Sequence, residues 1–161
     1  MKKIIGLLSL VIATGCCNAQ YRIQKAQAFF TVSTPGMQMA DEKGNKINPE
    51  QIIDRFIYLE CKYTGKPTID TVLYNGILYN ATVAAAEESV LKIGVRKNNG
   101  TTVTLSVKKG NHIWRVDVGQ ATGKTLPHDL VKKILIKGKL DKVKFSYTIS
   151  AETELSTPDR Y

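Results

Sequence analysis

Apolar and polar positions alternate with a period of two along most of the second half of the chain, the pattern of strands that bury one face. Leu91, Ile93 and Val95 alternate with Lys92, Gly94 and Arg96. Beyond Asn98-Asn99-Gly100, the set Val103, Leu105 and Val107 alternates with threonines and a serine. A two-residue loop at Asn99-Gly100 would place these rows on opposite faces. A three-residue loop over Asn98, Asn99 and Gly100 instead opposes Val95 to Val103, Ile93 to Leu105 and Leu91 to Val107, with Gly100 in the left-handed position of a bulged turn. Gly110-Asn111 predicts a two-residue turn with glycine first. That turn opposes Val107 to Trp114, Leu105 to Val116 and Val103 to Val118, and extends the pair into a meander.

The same period continues in the C-terminal part. Val143, Phe145, Tyr147, Ile149, Ala151 and Leu155 fall on one face of a long half-buried strand, and Lys142, Lys144, Ser146, Thr148, Ser150, Glu152 and Glu154 on the other. Ile134 and Ile136 mark a strand at the end of the mixed segment Leu130 to Lys137. Asn75-Gly76, between Thr68–Tyr74 and Ile77–Val83, is a strong hairpin signal. Phe56–Tyr63 and Phe29–Ser33 add two more strands. Between those two, Thr34 to Gln51 carries Pro35, Gly36, Gly44 and Pro49 with few apolar residues, and reads as a long surface loop with a helical turn near Pro49-Glu50-Gln51. The fold expected is all-β: a mainly antiparallel β-sandwich of about eight or nine strands, with a barrel as the alternative and Trp114 in the core.

Residues 1–19 add a compartment to this picture. Lys2 and Lys3, the apolar run Ile4 to Ala13 and the small residues that follow have the form of a bacterial secretory leader, too short to span a membrane. Two endings overlap. Cys17-Asn18-Ala19 suits cleavage before Gln20, which leaves residues 20–161 as a single soluble domain. Ile12-Ala13-Thr14-Gly15-Cys16 resembles the lipobox of bacterial lipoproteins, with Ala13 where leucine is usual. That resemblance implies acylation of Cys16 and attachment to a membrane through the lipid alone. Localisation is thus periplasmic or extracellular, or anchored in the envelope.

The 161 residues carry a formal charge of +9, which falls to +7 when Lys2 and Lys3 leave with the leader. The excess favours anionic partners, namely lipopolysaccharide phosphates, acidic glycans or anionic lipid headgroups, or an envelope protein; nucleic acid is not the expected target in that compartment. The densest charge feature is Lys132, Lys133, Lys137, Lys139, Lys142 and Lys144. It reads either as an anion-binding strip or as a guard on a sheet edge.

Few residues point to catalysis. Release at Gln20 leaves Cys61 as the one cysteine, within the apolar set Ile57, Leu59, Cys61 and Tyr63, so it is expected to be a core residue. Gly119 to Thr125 has three residues between its glycines where a phosphate-binding P-loop has four, and reads as an ordinary glycine-rich loop. His112 and His128 lie beside turn residues and read as loop histidines. Asp41, Lys43 and Asn45 read as a turn, so no metal or cofactor is expected. Arg115 and Asp117 share the meander's polar face with Lys92, Thr104 and Ser106, a platform if left open. Asp70-Thr71-Val72 resembles the acceptor pattern for O-glycosylation of exported proteins in Bacteroidetes, which would place a glycan on Thr71.

Export, basic charge and the lack of a catalytic set predict a noncatalytic binding or structural component of the envelope or secretome. Two alternatives remain. One is a glycan- or peptidoglycan-acting hydrolase using Glu60, Asp70 or Asp117 as acid and base. The other is an inhibitor or immunity-type protein that presents the 34–51 loop.

Overall fold

The computed structural model describes residues 22–34, 36, 39–47, 51–86, 88–125 and 133–157. The leader with Cys16, the turn expected near Pro49, Pro127, His128 and Lys132 lie outside these residues. Ten strands form: β1 (Ile23–Ser33), β2 (Ile52–Cys61), β3 (Thr68–Tyr74), β4 (Ile77–Ala86), β5 (Val90–Val95), β6 (Thr102–Ser106), β7 (His112–Thr125), β8 (Ile134–Leu140), β9 (Val143–Ile149) and β10 (Glu152–Leu155). The fold is all-β. Eight strands make one curled sheet in the order β10-β1-β2-β7-β4-β3-β8-β9, antiparallel except for the parallel pair β1–β10. β9 curls round to pack near β1 without pairing to it. β5 and β6 form a separate hairpin.

Two cores follow from the alternation. The concave side of the sheet encloses Ala28, Ile57, Leu59, Cys61, Val72, Trp114, Val116, Ile136 and Leu140. The β5–β6 hairpin lays Val103 and Leu105 on the convex side, over Phe29, Phe56, Tyr58, Ile113 and Leu155. The architecture is thus a curled wall, as in a barrel, with a second layer on its back, as in a sandwich. β2 belongs to both cores, because Phe56 through Cys61 are buried on both faces. Phe29, Phe56 and Tyr58 meet with ring centroids about 6 Å apart in stacked and edge-on pairs. Cys61 and Trp114 are in the core as expected.

Several details differ from the pattern reading. The Asn75-Gly76 hairpin forms as anticipated, with φ of 50° and 79° at its two turn residues. The β5–β6 loop is longer by one residue: Arg96 N–H bonds Thr101 O and Gly100 N–H bonds Arg96 O. Val95 therefore faces Thr102 rather than Val103, and a bulge at Ile93 moves the register by one more residue, so that Leu91 faces Leu105 rather than Val107. Gly100 does take the left-handed conformation, with φ 68°.

The meander does not form, since β6 pairs only with β5 while β7 enters the main sheet between β2 and β4. The connection is a corner, Lys108 to Asn111, with Gly110 third in the turn at φ 82°. The predicted long C-terminal strand breaks at Ser150-Ala151. Its first half, β9, lines the concave core, and Leu155 of β10 enters the convex one. This break accounts for a tenth strand. The segment Gly119 to Thr125 is not a loop but the far half of β7, paired with β4.

Candidate functional site

The lysines of the C-terminal half are brought together by strand register. In β8, Ile134, Ile136, Gly138 and Leu140 face the concave core, so Lys137 and Lys139 face outward. In β9 the outward residues are Lys144, Ser146 and Thr148. Lys137 stands between Thr71 of β3 and Ser146 of β9, and Lys139 stands between Thr68 and Lys144. Lys142 occupies the β8–β9 turn beside Asp141, whose φ is 56°, and exposed Lys133 precedes β8. Lys132, the sixth residue of the expected strip, is outside the described part.

Lys139 and Lys144 oppose each other directly. Like charges so placed destabilise a sheet by roughly 0.2–1 kcal/mol. Among the described residues, ion pairs join Arg55 to Glu152, Lys97 to Glu154 and Arg115 to Asp117, and no lysine of the strip takes part. Among the described residues the strip is therefore a basic face without ion-pair partners. Thr71, the residue matching the O-glycosylation pattern, is half-buried on the same face, next to Lys137.

Beside this face the sheet opens. β3 and β4 pair only from the turn to Val72↔Tyr79. A bulge at Asp70 in the β3–β8 ladder, and two irregularities in the β4–β7 ladder, turn each strand toward its other partner. Between the diverging strands lies a cleft of about 430 Å³ lined by Lys66, Pro67, Thr68, Ile69 and Ala81 to Val83.

The three carboxylates considered for catalysis are separated. Buried Glu60 accepts hydrogen bonds at Oε1 from Lys108 N–H at 2.9 Å and from Asn111 Nδ2 at 2.6 Å, and so holds the β6–β7 corner against β2. Asp117 accepts from Arg115 Nε at 2.7 Å. Glu60 faces Ile113 and Asp117 faces Phe56, so the two lie four positions apart along the ladder, about 14 Å at ~3.4 Å per residue. Acid and base in glycoside hydrolysis are ~5–9.5 Å apart. Asp70 sits on β3, beyond β4 from Asp117. Removing the Glu60 carboxylate as Glu60→Ala is expected to cost about 2 kcal/mol, because two donors lose a charged acceptor. Thermal unfolding reads this as a fall of roughly 5 °C, with loss of protection at the Lys108 amide in hydrogen exchange.

Arg115 lies over the Phe56 ring at 4.5 Å while bound to Asp117. Burial opposes its charge, yet the Asp117 carboxylate and the Tyr58 hydroxyl hold its pKa above the usual arginine value. The platform expected around it is divided, since Lys92, Thr104 and Ser106 belong to the hairpin rather than to the sheet. Asp41 makes the predicted turn. Its carboxylate accepts from the Lys43 and Asn45 N–H groups and from Asn45 Nδ2, and these bonds, that of the Asn45 side chain foremost, lower its pKa. His112 is exposed, and among the described residues no three His, Cys, Asp or Glu side chains gather as metal ligands.

One polar group inside the curl had no signal in the sequence. Arg55 Nε lies 3.6 Å from Glu152 Oε2, and the guanidinium stands 5.2 Å from the centre of the Tyr74 ring. The Tyr74 hydroxyl is buried without a hydrogen-bond partner. Burial, reinforced by Glu152, pushes its pKa well up, and burial also raises Glu152 against the pull of Arg55. Burial raises the Cys61 thiol as well, which makes it a poor nucleophile. The 34–51 loop folds back on itself where described, with Ala40 bridged to Lys46 and with Met39 and Ile47 exposed. Compared with known proteins, the chain matches no family model, no curated protein and no solved structure.

Proposed function

We propose that this is a noncatalytic exported domain that holds an anionic component of the cell envelope against the outer face of β8 and β9. The observation that carries the reading is the Lys139–Lys144 cross-strand pair within a basic face whose described lysines form no ion pair. A local rule broken without a compensating neighbour is expected where function requires it. The separation of Glu60, Asp70 and Asp117, and the engagement of Glu60 and Asp117 by other groups, support a binding role over hydrolysis. Export rests on the leader pattern of residues 1–19. Intact mass of the native protein reads its form: a start at Gln20 in a soluble fraction, or an acylated Cys16 in the membrane. A mass equal to the bare chain removes Thr71 as a glycan site.

The binding test uses polyglutamate as an anionic probe. Lys137→Glu with Lys144→Glu is expected to lower affinity by about tenfold or more, whereas Lys43→Glu with Lys109→Glu makes the same change in net charge away from the face and leaves binding within about twofold. Equal losses in both variants would reduce the effect to net charge and end the proposal. Lys144→Glu alone also turns a repulsive cross-strand pair into an attractive one. It is expected to raise stability by about 0.5–1 kcal/mol, or roughly 1–3 °C in Tm, while weakening polyglutamate binding.

A second reading, an inhibitor or immunity-type protein, is favoured by the exposed Met39 and Ile47 on the 34–51 loop. Substituting both with serine would leave polyglutamate binding intact and abolish inhibition of a target enzyme.

A further inference from the structure

We propose that the cleft between β3 and β4 receives an extended acidic segment of another protein, which adds as a strand to the free edge of β4. The partner of the basic face is then a protein segment, a statement that rests on the anion-binding reading above. Among the described residues, β4 past Tyr79 is paired on one side only, by β7, so alternate N–H and C=O groups between Asn80 and Ala86 have no ladder partner on the side of β3, where Ala81 to Val83 line the cleft. A row of this kind is a template for another strand. Natural sheets usually guard such edges with charge, proline or short length. The facing edge of β3 has Lys66-Pro67 at its start and the Asp70 bulge, β9 has Lys144, and β6 is only five residues long. β4 has none of these guards. Asn80 to Ala86 contains no charged residue and no proline, and four of its seven positions are alanine.

Small side chains leave this backbone accessible. Ala84 and Ala85 are exposed, and Thr82, which shares the outer face with Ala84, is exposed too. The inner residues Ala81 and Val83 pack on the concave core, so an added strand would rest its inward side chains beside them and against Ile69. Its outward side chains would lie along the basic side of the cleft. Lys66 lines the cleft itself, and Lys137 and Lys139 stand one strand further, opposite Thr71 and Thr68. Alternation fixes the recognised sequence: apolar residues inward and acidic residues outward, with period two. Main-chain bonds to β4 give affinity, and the lysines select acidic over basic segments.

The probe is a short capped peptide alternating glutamate with valine, compared with the same peptide carrying lysine for glutamate. Fluorescence anisotropy is expected to show binding of the acidic peptide only. Lys66→Gln with Lys137→Gln is expected to weaken it by about tenfold, a difference of ~1.4 kcal/mol. Hydrogen exchange on the full domain supplies the decisive reading. Alternate amides of Asn80 to Ala86 should exchange fast in the free protein and become protected when the acidic peptide is present. Binding without protection at these amides would overturn the strand-addition proposal and leave the basic-face reading standing. Loss of both peptide and polyglutamate binding would overturn the two together. Protection that rises with protein concentration alone, with a dimer in sedimentation, would assign the edge to a second copy and likewise overturn the proposal.

Discussion

Gly138→Ala is expected to destabilise the protein by about 3 kcal/mol or more and to lower Tm by roughly 10 °C. Gly138 pairs with Ile69 of β3 and Phe145 of β9. A Cβ built at this position would run into the Thr68 carbonyl oxygen and lie 3.0 Å from two ring carbons of Phe145. The first obstacle is backbone of a neighbouring strand just beside the Asp70 bulge, so relief needs movement of β3 itself rather than a change of rotamer. The backbone angle at Gly138 is not the cause. The requirement is for space, the role of a strand glycine where another backbone approaches closely. Gly100 or Gly44 offers a useful contrast, since both have positive φ with open space around the missing Cβ. Alanine there should cost only about 1 kcal/mol, from strain alone. Chemical denaturation of the three variants separates the causes, and equal losses at all three sites would refute the close-approach account.

How much of this was legible in the chain depends on the distance over which each choice is made. The β3–β4 hairpin is written in two adjacent residues, Asn75 and Gly76, whose positive φ values select the turn. The inward sets of β8 and β9 follow from alternation alone. The β5–β6 loop is one residue longer than the pattern predicts and the bulge at Ile93 moves the pairing by one more, a total slip of two that keeps the same side chains on the same face and leaves no mark in the periodicity. The partner of β7 was out of reach for a different reason. Val103, Leu105 and Val107 suit Trp114, Val116 and Val118 as well as they suit the aromatic residues of β1 and β2. What decides between them is the capture of the corner by Glu60, from a strand far earlier in the chain. A glutamate within the apolar run Phe56 to Cys61 was the available signal for that role.

The candidate site shows the same division. The lysines are evident by composition, but not their shared outer face, the Lys139–Lys144 opposition or the missing counter-ions, which all come from register. The opening between β3 and β4 has still less trace, since Thr68 to Tyr74 and Ile77 to Val83 both read as strands continuous with their hairpin. Bulges on their outer ladders part them. What the sequence does hold, in retrospect, is the uncharged stretch Asn80 to Ala86, unusual for a strand that remains exposed.

Arg55→Leu is expected to cost about 2–3 kcal/mol at neutral pH, and adding Glu152→Leu should recover most of that loss. Arg55 and Glu152 come from β2 and β10 and meet inside the curl, with their side chains 23% and 26% exposed. Breaking a fully buried ion pair by removing one partner costs ~3–5 kcal/mol, because the other charge stays buried and uncompensated; partial exposure here reduces that figure. Removing both charges replaces a pair whose desolvation offsets much of its attraction, so the double variant should lie within about 1 kcal/mol of the parent. The pH dependence gives an independent check. Burial already raises the pKa of Glu152 above 4.5, and loss of the Arg55 cation raises it further. The folded state then binds the proton more tightly than the unfolded chain, so stability is greatest below about pH 4.5 and falls as pH rises through the folded pKa. The deficit of Arg55→Leu relative to the double variant should therefore shrink on acidification and widen toward neutrality. A deficit that stays constant with pH, or a double variant no more stable than the single, would assign the loss to Arg55 packing over the Tyr74 ring instead of to the stranded carboxylate.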